Sequence, residues 1–220
     1  FDSFLSNDIM RPIVLQEKSS FNLREVMDSG KILLVNLSKG KLGELNSALI
    51  GLIIVGKIAL SAFSRANMQE SERKPFYLYI DEFQNVTTDS IEKILSEARK
   101  YKLNLIIAHQ FIGQLSEGIS KAVFGNVGSK IAFRVGSEDG EFLEKEFGPE
   151  FSANDLINID NYNCYARILI NGQTASAFSM KVTPPNKNIS GISEKIKELS
   201  RVVYGKPKEE VDRMIDDKFL

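Results

Sequence analysis

FYLYIDEFQN, Phe76 to Asn85, is the stretch on which the reading of this chain turns. An aliphatic and aromatic run stops abruptly at two adjacent carboxylates, Asp81 and Glu82. A short apolar run of this kind predicts a strand buried on both faces. Two charges at its end are tolerable where they emerge at the carboxyl edge of a parallel sheet, the edge at which open α/β sheets hold ligands. There the first carboxylate suits a Mg²⁺ ion and the second suits an attacking water. The plainer alternative is a strand followed by an acidic helix cap, because Asp and Glu favour helix N-termini.

Working outward, Lys31 to Leu37 (KILLVNL) predicts another buried strand, followed by a turn-rich loop, SKGKLG, at Ser38 to Gly43. Glu44 to about Arg65 predicts a long apolar helix. Ile91, Ile94, Leu95 and Ala98 recur at helical spacing within Asp89 to Tyr101, with Asp89 or Ser90 as cap. Leu103 to Ala108 predicts a second buried strand, ended by His109 and Gln110. A helix over Gly113 to Phe124, a strand over Lys130 to Val135 and a helix over Ser137 to Phe147 come next. Cys164 to Ile170 and Thr174 to Met180 flank Asn171-Gly172, a strong hairpin signal. Pro184-Pro185 predicts a boundary, and Ile189 to Tyr204 and Pro207 to Phe219 predict two charged helices.

Strands alternating with helices imply an α/β fold, RecA-like, with a mainly parallel sheet flanked by helices. The antiparallel hairpin belongs at its edge and the charged helices form a C-terminal tail. The expected division is residues 1–183 and 184–220.

Composition narrows the function classes. The chain of 220 residues is 43% hydrophobic and 26% charged, which suits a globular core. Its net charge of −1 gives no global basic signature for nucleic acid, so any DNA contact needs a local patch or an oligomer's inner surface. The single cysteine, Cys164, excludes an internal disulfide and reads as a buried structural thiol. One histidine, His109, cannot build a histidine-rich metal site. The longest uncharged apolar stretch, Leu45 to Gly56, falls short of the roughly 18 residues of a membrane span.

Gly51 to Lys57, GLIIVGK, has the spacing of a phosphate-binding loop but not its chemistry. Leu52, Ile53, Ile54 and Val55 are too bulky for a backbone nest, and Ile58 stands where a Ser or Thr should bind Mg²⁺. The hydrolytic carboxylates are therefore expected without their phosphate cradle, the expected cradle lying upstream of Phe1. Gln110, at a strand end beside the acidic pair, is placed to hydrogen-bond a γ-phosphate or the attacking water. Arg99, one position past the apolar helical face, and Arg134, on the strand in FRVG, are candidate cations for a nucleotide's phosphates. The plain alternatives are a surface Gln, an exposed helical Arg near a C-terminus, and a structural ion pair.

IDEFQN, SEARKYKLNLIIAHQ, GNVGSKIAFRVGSED and NLSKGKLGE, in this order apart from the last, resemble the HerA–FtsK superfamily of P-loop motors. They are most similar to the coupling-protein ATPases of conjugative type IV secretion. The resemblance covers nearly all of residues 1–183. It implies an ATPase that uses ATP and Mg²⁺, with Asp81 as the Walker B aspartate and Mg²⁺ ligand, Glu82 as the catalytic glutamate, Gln110 as sensor and Arg99 as arginine finger. It further implies a hexameric ring at the cytoplasmic face of the inner membrane, anchored through an N-terminal region. Its cargo would be DNA, single-stranded, or nucleoprotein, passed to secretion-channel proteins. Another motor of the superfamily, or a catalytically inert module of the same fold, remains the alternative.

Overall fold

The computed structural model describes residues 7–87, 90–185 and 191–219. The chain divides into two compact units, Phe1–Phe76 with Lys187–Leu220, and Tyr77–Asn186.

The first unit is helical. A single turn, α1 (Arg11–Val14), leads to α2 (Leu23–Asp28), whose start is fixed by Asn22: its side chain accepts from the backbone N–H of Arg24 at 2.8 Å. Lys31–Leu37 differs from its expected strand. It pairs with no strand among the described residues, and Ile32 is 89% and Leu34 78% exposed. The run has the right composition but no ladder neighbour among the described residues, and composition alone does not satisfy a strand's backbone. The next segment, expected as a loop, tightens into one helical turn, α3 (Lys39–Leu42).

The long helix forms as expected: α4 (Glu44–Phe63) runs on into a 3₁₀ turn, Ser64–Asn67. Ser47, Gly51, Val55, Ile58 and Ala62 make one buried stripe at helical spacing, facing α2 and α3. By length and composition this helix could also cross a membrane, since an 18-residue window within Glu44–Asn67 has mean hydropathy 1.9. Lys57 interrupts its apolar sequence, so the uncharged run Leu45 to Gly56 is shorter than the helix itself. At its end Arg65, fully buried, donates to Asp28 Oδ1 at 2.9 Å and to the Lys74 carbonyl at 2.9 Å. Asp28 also receives Arg24, so one carboxylate ties the ends of α2 and α4 together.

The second unit is built on two parallel strands, β1 (Phe76–Ile80) and β2 (Leu103–Ile107). Ala108 N–H donates to the Ile80 carbonyl and the Ala108 carbonyl accepts from Phe83 N–H, both at 2.9 Å. Bonds to residues on either side of the partner, rather than to one residue, are the parallel pattern. Between the strands lies α5 (Ser90–Glu97), which tightens into a 3₁₀ turn, Ala98–Tyr101. Ile91, Ile94 and Ala98 face inward as the spacing predicts; the candidate cap Asp89 falls outside the described residues. One expectation for β1 changes: Tyr79 is 72% exposed and Tyr77 is exposed too, so only one face of the strand is covered.

The remaining strands form two antiparallel sheets, one of three strands and one of two. After α6 (Glu117–Asn126), β3 (Lys130–Ala132) pairs with β4 (Asn163–Arg167), which pairs with β7 (Phe178–Lys181). Between β3 and β4, α7 (Ser137–Phe147) and α8 (Ala153–Ile157) cross at Gly140, where an added Cβ would lie 3.0 Å from Ile157. Their core joins Ala132, Leu143, Phe147, Leu156, Ile159 and Ala177. The hairpin forms where Asn171-Gly172 predicts it, between β5 (Leu169–Ile170) and β6 (Gln173–Thr174). Both turn residues have positive φ, 49° and 80°, as a type I′ turn demands. Cys164 is buried, and burial pushes its thiol up.

Beyond the prolines, α9 (Ile192–Tyr204) buries no residue, while α10 (Lys208–Phe219) buries Val211 and Ile215 and packs on α1, where Arg11 pairs with Asp216. The whole is an α/β protein with a parallel pair, antiparallel strands and C-terminal helices.

Candidate functional site at the carboxyl edge of the parallel strands

The parallel pair places the acidic dipeptide and the glutamine side by side. Because Ile80 and Phe83 both bond to Ala108, the ends of β1 and β2 are held in register, and Asp81-Glu82 lies against His109-Gln110. The chain leaving β1 makes no ordinary helix start. Glu82 adopts φ 51°, ψ 45°, a left-handed conformation uncommon for a residue with a Cβ. The backbone then closes into a 3₁₀ turn, Phe83–Val86, pinned by the buried side chains of Phe83 and Val86. The acidic-cap alternative thus fails locally, since no side chain caps this turn.

Glu82 is the centre of the polar contacts. Its Oε1 accepts from Gln110 Nε2 at 2.5 Å and its Oε2 accepts from Gln84 Nε2 at 2.6 Å. Its backbone N–H donates to Asp81 Oδ1 at 2.9 Å, which steers the exposed Asp81 carboxylate along the strand end. The two amide contacts are charge-assisted bonds, shorter than ordinary amide–carbonyl bonds. His109 is half-buried, and burial lowers its pKa, opposed by nearby Asp139. Asp139 is itself buried in the first turn of α7 and accepts from Ile112 N–H at 3.3 Å.

The structure therefore brings together Asp81, Glu82 and Gln110, and leaves the two candidate arginines elsewhere. Arg99 is exposed on the 3₁₀ turn that precedes β2, at the amino end of that strand. Gln110 lies past the carboxyl end of the same strand, and five residues at about 3.3 Å each separate the two edges. Arg134 lies just beyond β3, which ends sooner than expected, and donates to Asn161 Oδ1 at 3.3 Å. Of the three segments expected at one sheet edge, SKGKLG is not among the strand ends, because no strand precedes it among the described residues. Gln84 and Asp139 are participants that the sequence does not single out. Gln84 lies within FYLYIDEFQN, but two residues past the carboxylates its position suggests part of a helix rather than a partner of Glu82.

The residues fit half of a Mg²⁺–nucleotide site. An exposed carboxylate for the metal, a second held by amides, and a strand-end glutamine are present. GLIIVGK lies inside α4, so its backbone N–H groups are committed to the helix, and Lys57 Nζ donates to Ser19 Oγ at 3.3 Å. Among the described residues no group of three His, Cys, Asp or Glu side chains could hold a metal by itself.

The α/β fold, with two carboxylates at the carboxyl edge of its parallel strands, is RecA-like in architecture. Residues 75–146 match the family described as the TraM recognition site of TraD and TraG, and this stretch contains every candidate site residue. Two solved structures share the fold. One is the unbound monoclinic form of the bacterial conjugative coupling protein TrwBdeltaN70, 15% identical with TM-score 0.50, covering 64% of this chain and 37% of that one. The other is the plasmid coupling protein TrwB in complex with the non-hydrolysable GTP analogue GDPNP, 13% identical with TM-score 0.51, covering 63% and 38%. The chain thus spans little more than a third of either solved chain. No curated protein matches it. The resemblance to conjugative coupling proteins of the HerA–FtsK type holds, over the C-terminal region of such proteins.

Proposed function

We propose that this chain is the hydrolytic half of an ATP-driven motor that moves DNA during conjugation. The observation that carries this reading is the Glu82 carboxylate, held at the carboxyl edge by Gln110 and adjacent to an exposed Asp81. In this reading Glu82 accepts a proton from a water whose oxygen bonds to the γ-phosphorus as the bond to the departing nucleoside diphosphate breaks. Asp81 holds Mg²⁺, which supplies charge neutralisation on the phosphates. Gln110 senses the γ-phosphate. Arg99, at the opposite end of β2, is too far from its own Glu82 and serves a neighbouring subunit of a hexameric ring. Arg134 is a weaker candidate for phosphate binding, because its guanidinium already has Asn161 as a partner.

The wider setting comes from the resemblance. The cargo is single-stranded DNA or nucleoprotein delivered to secretion-channel proteins, and the ring sits at the cytoplasmic face of the inner membrane. A TraM-type protein docks on residues 75–146, the stretch that matches the recognition-site family. With a net charge of −1, DNA contact comes from the ring rather than from one subunit.

Glu82→Gln in the full-length protein tests the assignment. It keeps the shape but removes the base. Turnover should fall by about 100-fold or more while nucleotide binding persists in calorimetry. Hydrolysis at the normal rate would sink the reading. Absence of nucleotide binding by the full-length wild type would favour an inert interaction module of the same fold.

A further inference from the structure

The two amides that hold Glu82 are not equivalent. Gln84 sits in the 3₁₀ turn between the buried Phe83 and Val86, and Thr87 Oγ1 donates to its carbonyl at 3.2 Å. Its side chain is half-buried, and its Oε1 is buried with no donor among the described residues. Turning that amide over would set a carbonyl oxygen against a carboxylate, so Glu82 dictates which way it faces. An amide that leaves its own oxygen unsatisfied in order to donate to Glu82 is committed to that contact. Gln110, by contrast, is exposed at the end of β2, and only rotation about its own side chain is needed to change its acceptor.

We infer that Gln84 is a positioning residue for Glu82, the fixed arm of a two-amide clamp whose movable arm is Gln110. Gln84 keeps Oε2, so the carboxylate stays aimed when Gln110 turns to a phosphate and leaves Oε1 to the attacking water. The left-handed backbone at Glu82 makes a fixed arm necessary. That conformation is set by the turn that Phe83 and Val86 pin, and a carboxylate projecting from it has Gln84 as its neighbour two residues on. The inference rests on Glu82 acting as the base, and its test separates the two claims.

In the full-length protein, Gln84→Ala should lower kcat roughly 10- to 100-fold, the scale of a misaimed catalytic group, with the KM for nucleotide unchanged. Gln84→Glu, of equal size, should lose more, since it sets a second carboxylate against the first. A kcat for Gln84→Ala equal to that of the wild type, or a loss confined to KM, overturns the inference. A contact measurement stands apart from turnover: the side-chain amide resonances of Gln84 should shift in Glu82→Ala, and unmoved resonances would show that the clamp does not exist in solution. Melting curves of the Gln84 variants matching the wild type exclude misfolding as the cause of a kcat loss; should Gln84→Ala melt early, the amide resonances of the wild type and Glu82→Ala decide. Normal hydrolysis by Glu82→Gln is a different result, which overturns the hydrolase reading itself.

Discussion

Phe76–Ile80 gains a ladder partner in β2 and has its far end pinned by Phe83 and Val86, whereas Lys31–Leu37, equally apolar, pairs with no strand among the described residues and leaves Ile32 and Leu34 open to solvent. Each run leads into a polar turn. Only the first becomes a platform that can hold a carboxylate in place. The difference lies in the backbone: a strand end is rigid when its N–H and C=O groups are taken up by a neighbour, as Ala108 does for Ile80 and Phe83. Apolar side chains supply the burial that stabilises a sheet, but the neighbour decides whether there is a sheet.

Loss of Phe83 should harm the paired strand most. It is fully buried, and its N–H is part of the register between the strand ends. Phe83→Ala should destabilise the protein by about 3–5 kcal/mol, measured by denaturant melts. It should also loosen the Glu82 clamp, because the turn that carries Gln84 loses its anchor. A melt close to wild type would mean that the site is held by its polar contacts alone.

In the other unit the corresponding anchor is ionic. Arg65 is fully buried against Asp28, which keeps Arg24 as a second partner. Arg65→Met should cost about 3 kcal/mol, at the low end for breaking a buried pair because Asp28 is partly exposed and still paired. A neutral result would place the stability of this unit in the apolar stripe of α4 instead.

His109 gives a smaller, pH-dependent effect. Burial lowers its folded pKa below the unfolded value, so the unfolded chain binds the proton more readily. Its contribution is present above the unfolded value of about 6.5 and is lost as pH falls through that value toward the folded one. His109→Gln should flatten that part of the stability–pH profile, measured as denaturation midpoints between about pH 5 and pH 7.5. An unchanged slope would assign it to other groups.

Much of this was legible because it is local. The α5 stripe of Ile91, Ile94 and Ala98, the Asn171-Gly172 turn and the Asp81-Glu82 strand end each depend on residues a few positions apart. Gln110 was legible through order, since a strand ending after the acidic strand falls on the same edge. Gln84 was not, because its role depends on the left-handed backbone at Glu82, and nothing in FQNV announces that conformation. The antiparallel partnership of β3 was hidden for a similar reason: alternating strands and helices fit a crossover, and only the pairing of Lys130 with Arg167 shows otherwise. The unpaired state of Lys31–Leu37 was the least legible, because a missing neighbour leaves no mark on the segment itself.

The unpaired run gives the smallest expected effect and the sharpest contrast. Leu34 is 78% exposed, so Leu34→Ser removes little buried apolar surface and should change stability by less than about 0.5 kcal/mol. Leu78, on the covered face of β1 where it is half-buried, should cost more on the same substitution, about 1–2 kcal/mol. Both are leucines in runs of similar composition, so the ratio isolates the effect of having a neighbouring strand. A large loss at Leu34 would mean that Lys31–Leu37 is buried in solution, against a second copy of the chain or another part of the protein. Sedimentation of the wild type and of Leu34→Ser then tells these two apart, because only contact between copies depends on concentration.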